Sequence, residues 1–216
     1  MPHRSDPRLL VLHGLRLKGV ASASAVAAAV GLPPATVARE LDSLVELGWV
    51  VQRDGLLSGF TLTEAGRTGH ERALADELTT VGARSTVETG YDRFRRLNPG
   101  VLDACSRWQV RQIGGQLVRN DHGDARHDAR VLADLDAALT GVRPVGERLA
   151  AMLDRFSPYA PQLEDALDRV RSGDPEYVTR PIIPSFHTVW FELHEDLLVT
   201  LGLDRVSETA GVGGGN

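Results

Sequence analysis

The last helical segment of this chain carries two imidazoles and an indole where packing alone would be served by leucine. Between Phe186 and Leu201, one apolar stripe runs through Phe186, Trp190, Leu193, Leu197 and Leu201, and a second, beside it, through His187, Phe191, His194 and Leu198. Two adjacent stripes imply a helix covered by neighbours on most sides. Only Thr188, Glu192, Glu195, Asp196 and Thr200 remain as clearly polar positions. Buried imidazoles need partners, which can be side chains, water or a bound molecule. His187, Trp190, Phe191 and His194, with Trp108 joining them across the bundle, are therefore read as the lining of an effector site. An anionic or carbonyl-bearing small molecule suits them, because each imidazole can donate one hydrogen bond. The competing reading is a set of core residues satisfied among themselves.

Other chemistry finds less support. His187 and His194 lie two turns apart, about 10 Å along a helix axis, whereas one metal ion needs donors about 2 Å away. His122 and His127, among Asp121, Asp124 and Asp128, read as a solvated turn with a helix cap. No metal site is expected. Cys105, the single cysteine, sits in a helical apolar pattern as a small buried thiol; it forms no internal disulfide and suits a reducing cytoplasm. Dinucleotide, P-loop, nucleophile-elbow and zincin motifs are absent. No catalytic residue, no cofactor and no enzymatic activity are expected.

Helices must position the residues just named. From Arg67 to Leu97 the chain reads as a long helix or a kinked pair, with the bend at Gly82 or Gly90. The stripe Leu74, Leu78, Val81 is out of phase with Val87, Tyr91, Phe94, which leaves apolar surface for a second copy of the chain. Asn98-Pro99 reads as the cap and first residue of a new helix, with Leu102, Cys105, Trp108 and Ile113 along one side. Asp124 caps another helix, which Pro144 should kink or end. Tyr159 to Arg171 is a short helix, Pro175 to Pro184 an extended loop, and Ser185 the cap of the last helix. No strand is expected after Leu62. Residues 71–202 thus form an all-α effector or dimerisation domain, and 203–216, ending in glycines, a flexible tail.

The first 70 residues differ. Arg8 to Leu17 gives a first helix, with Leu9, Leu12, His13 and Leu17 at helical spacing. Ser22 or Ser24 caps a second, Ala25 to Val30, and Gly31 supplies a tight turn. Pro34 suits the first position of a third helix, whose core stripe is Val37, Leu41 and Leu44. After Leu47-Gly48 the period becomes that of strands: Trp49 to Arg53, a turn at Asp54-Gly55, and a return at Gly59 to Leu62. Thr63 caps a fourth helix. The segment SASAVAAAVGLPPATVARELDSLVELGWVVQRDGLLSGFTLTEAGR resembles the winged-helix domain of MarR-type and IclR-type regulators: helix, glycine turn, helix, a Leu-Gly-Trp exit into the wing and a Leu-Thr-x-Ala-Gly return. The fold expected is mainly α, with three helices and a two-stranded wing before the helical domain.

The resemblance implies that the helix from Pro34 to Leu47 enters the major groove and the 54–58 loop flanks the backbone. Ala35, Thr36, Arg39 and Ser43 would then face DNA, with Arg53, Ser58 and Arg67 around them and Arg8 a further phosphate contact. Two departures stand out. Pro33 replaces the usual capping Ser or Thr, and Arg39 shares its helix with Glu40, Asp42 and Glu46. Residues 1–72 hold 8 basic against 7 acidic side chains, and the remainder carries a net −6 of the total −5. Pattern, not charge, thus points to double-stranded DNA. The function implied is that of a cytoplasmic bacterial transcription regulator, a homodimer modulated by a ligand or partner; the alternative is an adaptor whose winged helix binds a protein. No segment approaches the 18 consecutive apolar residues of a membrane span.

Overall fold

A computed structural model describes residues 1–55 and 58–203. Residues from 204 on, where the tail was expected, and Leu56 and Leu57 of the wing loop lie outside the described residues. The chain gathers into two units, one of Met1–Arg84 together with the stretch from Glu195 onward, the other of Ser85–His194. None of the described helices is long and apolar enough to cross a membrane.

In the first unit, α1 (Pro7–Lys18) starts on Asp6, whose carboxylate accepts from Arg8 N. Helix α2 (Ala23–Val30) is capped by Ser22 and closed by Gly31 in the left-handed region, and α3 spans Pro34–Glu46. Strands β1 (Val50–Arg53) and β2 (Gly59–Leu62) pair antiparallel, Val50 opposite Leu62 and Arg53 opposite Gly59. Val11, Leu12, Leu15, Val26, Val37, Leu41, Leu44, Val50 and Leu62 make one continuous core. Helix α4 (Glu64–Val81) is capped by Thr63, whose hydroxyl accepts from Gly66 N and donates to Gly48 O. Here the Leu-Gly-Trp and Leu-Thr-x-Ala-Gly strings acquire a physical reason. A Cβ on Gly66 would lie 2.0 Å from Trp49 O, and one on Gly69 would lie 2.7 Å from the Trp49 ring. The two glycines cut a notch in α4 that receives Trp49.

Helix α8 (Phe186–Leu201) contributes residues 195–201 to this unit, where Val199 packs with Leu9 and Leu74. Beside them lies a buried polar chain. His70 Nε2 and His13 Nδ1 are 3.1 Å apart, His13 Nε2 faces Asp196 Oδ1 at 3.0 Å, and Thr200 donates to the same oxygen. Asp196, one of the polar positions of α8, is buried where His13 on α1 meets it.

Beyond the wing, one expectation is met and several are corrected. Gly82 (φ 66°) ends α4, so the bend falls there. Helix α5 (Arg84–Gln109) runs unbroken through Pro99. Asn98 does not cap a new helix; its Oδ1 accepts from Trp190 Nε1 at 2.9 Å. Nor does α5 reach Ile113. Strands β3 (Val110–Ile113) and β4 (Gln116–Arg119) form a hairpin, turned by Gly114-Gly115, both at positive φ. Helix α6 (Ala125–Met152), capped by Asp124, continues through Pro144, and α7 spans Tyr159–Arg171. A short 3-10 turn, Pro175–Tyr177, interrupts the loop read as extended. Phe94, Val101, Leu135, Leu149, Phe156, Leu163, Leu167, Phe186 and Trp190 fill the interior. Of the apolar positions expected to leave surface from Leu74 to Phe94, Leu74, Leu78, Val87, Tyr91 and Phe94 are buried within the chain and Val81 is half-buried.

Candidate nucleic-acid interface

Helix α3 divides into three stripes. Val37, Leu41 and Leu44 are buried; Ala35, Arg39, Asp42 and Glu46 are exposed; Thr36, Glu40 and Ser43 are half-buried between them. Pro33 offers no side-chain cap, and its carbonyl receives Thr36 N and Val37 N instead. Arg8 on α1 reaches over to this flank. Its guanidinium donates to Ser43 Oγ at 3.3 Å and lies 3.5 Å from Glu40 Oε2. Arg39 meets the other oxygen of Glu40 at 3.6 Å, with 71% of its side chain still exposed. Glu40, the nearest acid to the exposed cation, is thus held between two arginines. Ser43, expected to face DNA, is turned toward Arg8. The part of Arg8 as a clamp on α3 was not legible from the sequence, since it depends on how α1 crosses α3.

The wing is tied to the helical core by a third segment. Ala21 and Phe60 exchange both backbone hydrogen bonds, 3.1 and 2.8 Å. Gly59 makes this possible: at φ 146° a Cβ there would sit 2.6 Å from Ala21 O. Arg53, at the end of β1, and Ser58, just before β2, are exposed beside the loop, and Arg67 is exposed on the first turn of α4. The arrangement offers a short helix face and a wing tip, each with one exposed guanidinium.

The residues expected to line an effector site are placed otherwise. Trp190 is buried, stacked on Phe94 (4.6 Å between centroids) and Phe186, with its N–H on Asn98. His194 packs against Phe94 and Tyr91. Trp108 donates to Pro175 O and lies against the His122 ring. His187 is half-buried, and burial holds its imidazole below the usual value. Phe191 is exposed. Trp190 and His194 are brought together around Phe94, and none of the five lines either pocket described for this unit. Burial pushes the Cys105 thiol up to about 12, far from a reactive thiolate.

Residues 15–54 match the model of the IclR helix-turn-helix domain. The match runs from the end of α1 through α2 and α3 to just past β1, and so covers the helix face just described but not Arg8, Ser58 or Arg67. It identifies a helix-turn-helix of the kind carried by DNA-binding transcription regulators. No curated protein and no solved structure matches the chain.

Proposed function

We propose that this chain is a bacterial transcription regulator that binds double-stranded DNA as a cytoplasmic homodimer, with α3 in the major groove and the wing along the backbone. The observation that carries the reading is the coincidence of the helix-turn-helix match with an exposed Ala35–Arg39 stripe on a fully packed scaffold. Ala35, Thr36 and Arg39 lie early on α3, where base edges are reached. Arg53 and Ser58 on the wing, and Arg67 on α4, are assigned to phosphates. One such surface carries few cations, and a two-fold pair doubles the contacts. The likeness in motif order to MarR-type and IclR-type domains supports the same assignment. The second unit is assigned to receiving an effector.

Selection of operators from a random double-stranded library tests this directly. A base reader enriches one motif, whereas an adaptor that binds proteins enriches none. On the selected site, Arg39→Ala is expected to cost about 1–3 kcal/mol, the range for a bidentate guanine contact. Arg53→Ala should weaken binding to all sequences alike and reduce the salt slope by about one unit. Unchanged binding in both variants would show that the recognition surface lies elsewhere.

A further inference from the structure

The hairpin β3–β4 stands on a rigid polar base. Asn120 N bonds Gln109 O at 2.8 Å, closing the hairpin where it leaves α5. The Asn120 side chain donates to Trp108 O and Asp128, and His127 Nε2 lies 2.9 Å from Arg107 O. Arg111, largely covered, pairs with Asp121 and Asp124. Backbone N–H groups of Gly123 and His127 and the nearby Arg111 hold the carboxyls of Asp121 and Asp124 below their usual range.

Above this base the character reverses. Leu117 is 77% exposed and Val110 39%, apolar side chains left in water beside a pocket of about 660 Å³. Its lining places those two against Arg107, Arg111, Arg130 and His127, with Asp124 as the one carboxylate. Arg107 is already paired with Asp103 and Asp134. Arg130 makes no ion pair among the described residues, although its charge reaches Asp124. The volume falls within the roughly 300–1,000 Å³ of small-molecule sites, which combine apolar walls with a few placed polar groups.

We infer that this pocket, between the end of α5, the hairpin and the start of α6, is the effector site, and that it takes a small organic anion with an apolar body. Arg130 receives the anionic group, and Leu117 and Val110 cover the body. The inference rests on reading the chain as a ligand-modulated regulator and relocates the site from the helix α8 residues.

The test uses the full chain without DNA, so its failure and that of the DNA-binding reading are separate results. The probe is the dye 8-anilinonaphthalene-1-sulfonate, followed by fluorescence titration, beside its neutral analogue lacking the sulfonate. One saturable site is expected. Arg130→Gln and Leu117→Ser should each weaken it about tenfold or more, the loss of one charge-assisted hydrogen bond or one apolar contact surface. Ile182→Asn, at a fully exposed position elsewhere in this unit, should leave it unchanged. Both pocket positions are exposed, so circular dichroism and the melting temperature should match the parent chain. Equal binding of the neutral analogue, or full binding by Arg130→Gln, would overturn the proposal. Loss of a dimer in Leu117→Ser, with dye binding intact, would assign the hairpin to a second copy instead.

Discussion

Each unit sets an imidazole against a carboxylate, and the two pairs have opposite surroundings. His13 and Asp196, 3.0 Å apart, show 4% and 2% of their side chains to solvent; His122 and Asp128, 2.9 Å apart, show 32% and 15%. The first pair joins residues from helices far apart in sequence, with His70 and Thr200 extending it. The second lies within a single turn and helix start and is organised by Asn120. Separation in a low-dielectric interior is costly, because water cannot replace the lost partner. Near the surface it can. Similar geometry therefore does different work: the buried pair fixes which helices meet, and the wetter one holds a hairpin in place.

The largest expected effect tests that contrast. Asp196→Ala leaves the buried His13 imidazole and the Thr200 hydroxyl without the carboxylate they face, at a cost of about 1–3 kcal/mol for each group so orphaned, read from urea unfolding. A loss below about 1 kcal/mol would mean that the two pairs are energetically alike. Asn120→Ala comes next. It removes donors to Trp108 O and Asp128 and the acceptor for His122 N. The expected cost is about 1–3 kcal/mol, with faster amide exchange confined to residues 110–119. Exchange spreading through the second unit would show that the hairpin is part of its core.

The smallest effect concerns His187, an imidazole with burial but no carboxylate partner among the described residues. The folded pKa of His187 is depressed below its ordinary value of 6.5 by desolvation. Between the folded value and 6.5 the unfolded chain binds more protons, so this group's contribution is present above pH 6.5 and is lost as pH falls through the folded value. His187→Gln should therefore flatten the decline in stability between pH 7 and 5. A parent-like slope in the variant would assign the decline to other groups.

The parts of the fold that were legible in the sequence are those punctuated locally. Ser22, Gly31, Pro34, Thr63 and Asp124 each act on their own backbone within three residues, and helix limits follow from such caps. The misreading of Pro99 has a non-local cause. Asn98 could cap a helix at Pro99 only if its side chain were free, and Trp190, 92 positions away, holds it. The hairpin offered little period-two signal, since neither face packs on a core; Gly114-Gly115 between Ile113 and Gln116 was the available sign. That Asp196 is buried against His13 was not legible, because its partner stands on α1 and cannot be found by spacing. For the candidate interface, helix and wing were legible, while the Arg8 clamp and the turning of Ser43 were not. The pocket beside Arg130 was missed because it is lined by the unrecognised hairpin.

The notch that receives Trp49 also constrains how this sequence can drift over generations. Gly69 faces the indole ring, so a larger residue there becomes tolerable once position 49 carries something smaller; the two sites can change as a compensating pair. A Cβ on Gly66 would lie 2.0 Å from the Trp49 carbonyl oxygen, which every amino acid at position 49 would present alike. No exchange at the partner site can rescue it. Of two glycines three residues apart on one helix, one is negotiable by covariation and the other is fixed for as long as the wing keeps its seat.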